Sequence, residues 1–481
     1  MLKRLEAVRP GGRAALLAAA LVAATLLPPA TGAAQPRETA RRPRSSEGQA
    51  VPREIETRTL RNGLQIIVWP DHRISNAALY NWFHVGSRNE RPGITGLSHF
   101  FEHMMFNGSA HHAHGEFDRV MEENGGSNNA YTSNDVTVYQ DWFPRSALEL
   151  IFQLESDRIC CLSFDSTVVE NERRVVYSER RTSVEDDNAS LLDEQVMATA
   201  YVAHPYEIPV IGWPSDIEHW TLADLKSYFR TYYAPDNATM IVAGDVSPAE
   251  VFAMAERYLE PIPAQPPPPR VTTVEPPQMG ERRVVVRKAG QVPLLEVAYH
   301  VGTPRDPDAE ALDLLHMILT TGESSRLYRR LVDQERAAVS VGSSVMEGFD
   351  PGLISFQVTL SSGRAPADVE RMLYEELERV ARNGVTAEEL TKAKNIQLSA
   401  YWQTLETNNG KAGALGQNQV FHGDWRKLFS SPARYAAVRA RDIQTLAKRI
   451  FDDRNRTVGV LLPVEEPRAA APEAANKRGG R

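Results

Sequence analysis

The sequence predicts an α+β protein made of two homologous domains, each a mostly antiparallel sheet packed by helices, joined by a Pro-rich linker. Three observations carry this. The chain has 481 residues, more than one hydrophobic core usually organises, at an ordinary globular composition of 42% hydrophobic and 24% charged residues. Period-2 apolar segments alternate with period-3.6 segments in both halves. Between the halves lies a run that neither a helix interior nor a central strand accommodates, Pro266 to Pro269, with Pro261, Pro263, Pro276 and Pro277 around it.

In chain order, Lys3, Arg4, Arg9 and Arg13 precede an apolar stretch from Ala14 to Leu27, followed by Pro28, Pro29 and the small residues Thr31-Gly32-Ala33-Ala34. That is the pattern of a secretory signal peptide over 1–34, cleaved after Ala33 or Ala34, and the stretch is too short for a stable membrane anchor. The expected location is the periplasm. Residues 35–52, rich in Arg, Pro, Ser and Glu, read as a flexible N-terminus. The first folded domain is expected over 53–260. It opens with a hairpin, Thr57 to Leu60 and Leu64 to Trp69 about the Asn62-Gly63 turn signal, and a further strand from Ala77 to Val85. Helical periodicity follows at Gly96 to Phe106, Glu116 to Glu123 and Leu148 to Cys160, then in a long charged segment from Ser166 to Thr182. An apolar strand from Met240 to Gly244 and a helix from Pro248 to Leu259 close the domain. The linker covers 261–281, a second domain 282–463, and 464–481 is expected to be a disordered tail.

The halves echo one another. Ala78-Leu79-Tyr80 leading to His84-Val85-Gly86 is matched by Val297-Ala298-Tyr299 leading to His300-Val301-Gly302. Extending that register into the next helix sets Asp313, His316 and Met317 opposite His99, Glu102 and His103, so the second domain keeps the scaffold without the reactive residues. The formal charge of -8 offers no basic surplus for a phosphate backbone, which argues against nucleic acid as a partner. The two cysteines, Cys160 and Cys161, are adjacent, and two buried thiols are expected in preference to a bridge between neighbours.

His99-Phe100-Phe101-Glu102-His103 carries the chemistry. Two histidines four apart share one face of a helix and can reach a single ion, with a glutamate close to that face. A catalytic zinc needs three protein ligands and an open position, and the charged helix offers Glu172 and Glu179, two turns apart on one face. Periodicity does not choose between them. His111, His112 and His114 read as a solvated loop, and His204, before a proline, as a packed or hydrogen-bonded residue.

Together with Gly125 to Thr132, His204-Pro205-Tyr206 and Tyr233-Ala234-Pro235-Asp236-Asn237, these residues resemble the pitrilysin/insulinase family of zinc metallopeptidases, which includes the mitochondrial processing peptidases. The resemblance covers about Glu54 to Pro463. It implies a zinc endopeptidase with one Zn2+ per chain, held by His99, His103 and Glu179, the glutamate 76 residues beyond His103. It further implies Glu102 as general base, Glu172 as a supporting acid that orients a ligand, and the Asn129-Ala130 segment as an edge strand to which peptide substrate adds. One departure stands out. Where self-sufficient members carry an arginine and a tyrosine seven residues apart, this chain has Val332 and Val339. Division of labour follows as an expectation, with a paralogous subunit supplying Arg and Tyr in a heterodimer. The competing reading is a non-catalytic peptide-binding or assembly subunit.

Overall fold

The computed structural model describes residues 51–464. The expected leader, nearly all of the segment before 52 and the tail beyond 464 lie outside the described residues. The first half contains β1 (Glu56–Thr59), β2 (Gln65–Pro70), β3 (Asn76–Phe83), α1 (Leu97–Met104), α2 (Glu116–Glu123), β4 (Ser127–Thr132) and β5 (Thr137–Pro144). It continues through α3 (Leu148–Cys161), α4 (Ser166–Arg180), α5 (Asn188–Ala200), α6 (Pro214–His219), α7 (Leu222–Tyr232), β6 (Ala238–Gly244) and α8 (Pro248–Tyr258). The hairpin turn forms at Asn62-Gly63, where Gly63 takes φ +93°, a conformation that costs glycine little. Residues 263–279 hold neither helix nor strand.

The second half runs β7 (Arg282–Ala289), β8 (Leu294–His300), α9 (Ala309–Thr320), β9 (Ala338–Val345), β10 (Leu353–Leu360), α10 (Pro366–Asn383) and α11 (Ala387–Thr404). It ends with α12 (Asn408–His422), α13 (Lys427–Ala437), α14 (Ala440–Ile450) and β11 (Arg456–Val464). The sheets have strand orders β1-β2-β6-β3-β5-β4 and β7-β11-β8-β10-β9. In each, one parallel pair, β2 with β6 and β7 with β11, is followed by antiparallel neighbours, so the second sheet repeats the first without β1. The internal echo in the sequence is therefore a repeat of topology.

Each sheet buries one face under helices of its own half. Leu79, Tyr139 and Val242 pack beneath α1, α3 and α7, while Val297, Phe356 and Val458 pack beneath α9, α10 and α14. The other faces are covered by exchange. Ile67, Tyr80, Trp82 and Ile241 of the first sheet meet Leu415 and Phe421 of α12, and Ala298 and Leu461 of the second sheet meet Leu192 and Val196 of α5. Burial of every residue of β6 reflects this double cover.

One expectation is overturned. Cys160 and Cys161 form a disulfide with each other at the end of α3, Cys160 exposed and Cys161 half-buried. The buried stripe of that last turn is occupied by Asp157, Arg158 and Ile159, which leaves the cysteines towards solvent.

Candidate metal centre

The helix bearing the two histidines is fixed at its start. Gly96, at φ +86°, packs so closely on the Ile211 carbonyl that a Cβ would overlap it. The buried carboxyl of Glu90 accepts the Gly96 and Ser98 amides at 2.5 and 2.7 Å, satisfying amides at the head of α1 that have no partner within the helix. Burial pushes the Glu90 carboxyl up to about 8, against the pull of these amides. At the other end the Tyr139 hydroxyl donates to the Phe101 carbonyl at 2.9 Å. Phe100 and Phe101 are fully buried, and their anchoring turns His99, Glu102 and His103 to the opposite face.

Helix α4 brings the acids. Asp165 caps its first turn by accepting the Thr167 and Val168 amides. Past Arg180 the backbone widens into a π-helical turn, Arg181–Glu185. Arg180 itself is clamped on Glu194 of α5 at 2.9 and 3.0 Å, which fixes the chain beside Glu179.

The Glu179 carboxylate lies 3.7 Å from His99 Nε2 and 3.3 Å from His103 Nε2, and one ligand atom from each of the three residues falls within 4.8 Å of the others. Two donors at zinc distance in a tetrahedral shell stand about 3.3 Å apart, close to the two separations that Glu179 makes with the imidazoles, so the donor set is of the type and spacing that ion takes. His99 Nδ1 is buried without a hydrogen-bond partner, leaving Nε2 as the nitrogen that faces the carboxylate. Glu172 Oε1 sits 2.8 Å from His103 Nδ1, an arrangement that aims Nε2 at the same point.

Electrostatics separate the two histidines. Burial, assisted by neighbouring His103, holds His99 down at about 4, hence neutral. Burial also opposes charge on His103, but hydrogen bonds to Glu172 and Glu179 override it and hold His103 up at about 10 in the metal-free protein. Glu179 is held below its ordinary value, first by the hydrogen bond with His103. Glu102 is raised by burial, partly offset by the Thr132 hydroxyl donating to it at 2.7 Å.

Asn129 and Ala130 lie on β4, the outermost strand of the first sheet, paired on one side with Gln140 and Tyr139 of β5. Thr132, which sequence reasoning did not single out as a site residue, ends the same strand and touches Glu102. Its only sequence signal was a hydroxyl at the end of the matched Gly125 to Thr132 segment. The second half mirrors this contact: His316 Nδ1 lies 2.7 Å from the Ser343 hydroxyl of β9, the counterpart of β4. Val339 is exposed on β9 and Val332 half-buried beside it. The nearby Arg326 is bound to Glu389 through two 2.7 Å contacts and cannot stand in for the absent arginine without breaking them. His204 is buried, with Nε2 3.2 Å from Asp350, whereas His111 stands largely in solvent against Asp157.

Comparison with known proteins gives a consistent picture. Residues 67–213 match the family described as insulinase (peptidase family M16), and residues 219–397 match the description peptidase M16 inactive domain. A protein named zinc protease PqqE, from Helicobacter pylori, is 30% identical over 412 residues, spanning 85% of this chain and 93% of that protein. A probable mitochondrial-processing peptidase subunit beta of Schizosaccharomyces pombe is 25% identical over 425 residues, spanning 86% and 92%. The crystal structure of a protease from Helicobacter pylori superposes with a TM-score of 0.83 at 29% identity, covering 87% of this chain and all of that one.

Proposed function

The chain belongs to the insulinase family of peptidases, M16, and from that premise we propose that it is a zinc-dependent endopeptidase acting on extended peptides, with Glu102 as general base. The observation that carries the reading is the convergence of His99, His103 and Glu179 on one point with Glu102 beside them. Relatives named zinc proteases support the choice of metal. Zinc held by those three residues would polarise the scissile carbonyl and acidify the attacking water. Glu102, whose burial raises its basicity, accepts a proton from that water and returns it to the departing amine nitrogen. Thr132 keeps the carboxylate aimed while it does so. Glu172 fixes the ring of His103. The free edge of β4 at Asn129 and Ala130 offers backbone groups to an extended peptide, which selects unstructured segments.

Val332 and Val339 can donate no side-chain hydrogen bond to an oxyanion, and losing one such donor costs on the order of 10²–10³ in rate. A paralogous subunit that supplies Arg and Tyr accounts for this gap. The leader-like first 34 residues support a periplasmic location. Among the described residues no helix is long and apolar enough to cross a membrane.

The test is peptide cleavage by the zinc-loaded chain, alone and with a paralogous partner, beside Glu102→Gln. The substitution should lower kcat by about 10²–10⁴-fold while zinc stoichiometry stays at one. Zinc binding with no cleavage in any pairing would favour the assembly-subunit reading.

A further inference from the structure

A polar junction, buried at Arg88 and Asp135 and half-buried at Asp350, joins the two halves behind β4. The Arg88 guanidinium, 8% exposed, lies 2.8 Å from Asp135 of the first half and 2.5 Å from Asp350 of the second. Asp135 also accepts the Tyr206 hydroxyl at 2.8 Å and the Phe349 amide at 3.2 Å, and the Asp350 amide donates to the Tyr206 oxygen at 3.1 Å. Gly348 packs so tightly against the Tyr206 hydroxyl that a Cβ would overlap it. The loop between β9 and β10 is thus plugged into the first half beside the turn that ends β4.

That turn, Ser133 to Val136, is closed on itself by the Ser133 amide donating to the Val136 carbonyl at 2.8 Å, and Val136 is buried; further contacts tie it to the chain around Arg88. The backbone of Ser87 and Arg88 donates to the Ser133 and Asn134 carbonyls at 3.3 and 2.9 Å, and Asn134 reaches the Ser87 hydroxyl at 3.0 Å. Strand β4 itself is paired on one side only, and its last residue, Thr132, touches Glu102. Arg88, through its own amide and through Asp135, is thus one of the groups that tie the turn to the rest of the first half, and the turn leads directly into Thr132 and β4. Arg88 has two carboxylate partners, and only Asp350 comes from outside the first half.

We propose that Asp350 is a positioning residue for the peptide-binding edge strand, acting through Arg88 and Asp135 on the Ser133 to Val136 turn. The second half, which has no metal ligands at the matching helix, thereby holds the first half's β4 in register for substrate and for Glu102. The proposal rests on the peptidase reading of that site, so its test includes a readout that needs no turnover.

The experiment uses the full zinc-loaded chain with Asp350→Ala and Asp350→Asn. Loss of a charge-assisted hydrogen bond that fixes an exposed edge corresponds to about tenfold or more in local opening, so amide exchange over Asn129 to Val136 should accelerate by about that factor. KM for an extended peptide should rise by about tenfold, with zinc still bound at one per chain. Unchanged exchange together with unchanged KM would overturn the proposal whatever the loss of total activity, since such a loss then reports only fewer folded molecules. If Asp350→Ala fails to fold, Asp350→Asn, similar in size and still an acceptor, reads the same two quantities. Faster exchange at β4 in a chain that cleaves nothing under any pairing would sustain the positioning role and reject the peptidase reading.

Discussion

At the scale of the residue, the candidate metal centre is a problem of proton bookkeeping. His99 is neutral at pH 7, whereas His103 in the metal-free protein is held at about 10 by its two glutamates against the effect of burial. Because this value lies above the ordinary 6.5, the contact stabilises the metal-free fold fully below about pH 6.5 and is lost as pH rises towards 10. Zinc can take His103 Nε2 only after that proton leaves, so binding at pH 7 should release about one proton and weaken as pH falls. Titration calorimetry in buffers of different ionisation enthalpy measures this directly, and a heat independent of buffer would contradict it. Glu172→Ala removes the contact that orients the ring and should lower zinc affinity about 10–100-fold, read by competition with a chelator. The histidine pair was legible because i,i+4 spacing is local geometry. Thr132 was not, since its contact with Glu102 spans 30 positions and depends on how a strand lies over a helix.

Single elements show how closely the exchanged helices are fitted. Gly416 of α12 lies against the Trp82 indole, and Gly459 of β11 against Leu192 and Val196 of α5; a Cβ at either glycine would overlap its neighbour. Gly to Ala in a helix interior normally stabilises by roughly 0.5–1 kcal/mol. Here overpacking, at about 1–3 kcal/mol, should win, so Gly416→Ala is expected to lower the midpoint of denaturant unfolding. A raised midpoint would mean that α12 shifts away from Trp82 at little cost. Nothing in the sequence distinguished a glycine under an indole from a glycine facing solvent.

The whole molecule depends on that exchange. The sheet within 53–260 presents Ile67, Trp69, Tyr80, Trp82 and Val138 on the face that α12 covers, a contiguous apolar surface once the second half is absent. Residues 53–260 expressed alone should therefore aggregate, and co-expression with 261–464 should restore a soluble complex, checked by light scattering. A monodisperse isolated half would show that the exchange is dispensable. The unbroken burial of β6 is the mark of that cover on both faces.

The sequence by itself determined the helix-borne histidines and their glutamate, the alternation of strands and helices, the proline-rich break and the repeat between halves, because each is written in local spacing or in similarity along the chain. Resemblance to a family was needed to prefer Glu179 over Glu172, which helical periodicity treats alike. Only the tertiary structure decided that Glu179 meets both imidazoles while Glu172 turns to the far side of His103. It alone joined Cys160 to Cys161, lent each sheet a helix from the other half and brought Asp350 to Arg88. Those contacts depend on how separate elements stack and on which polar groups are buried together, and no periodicity along a single segment encodes either.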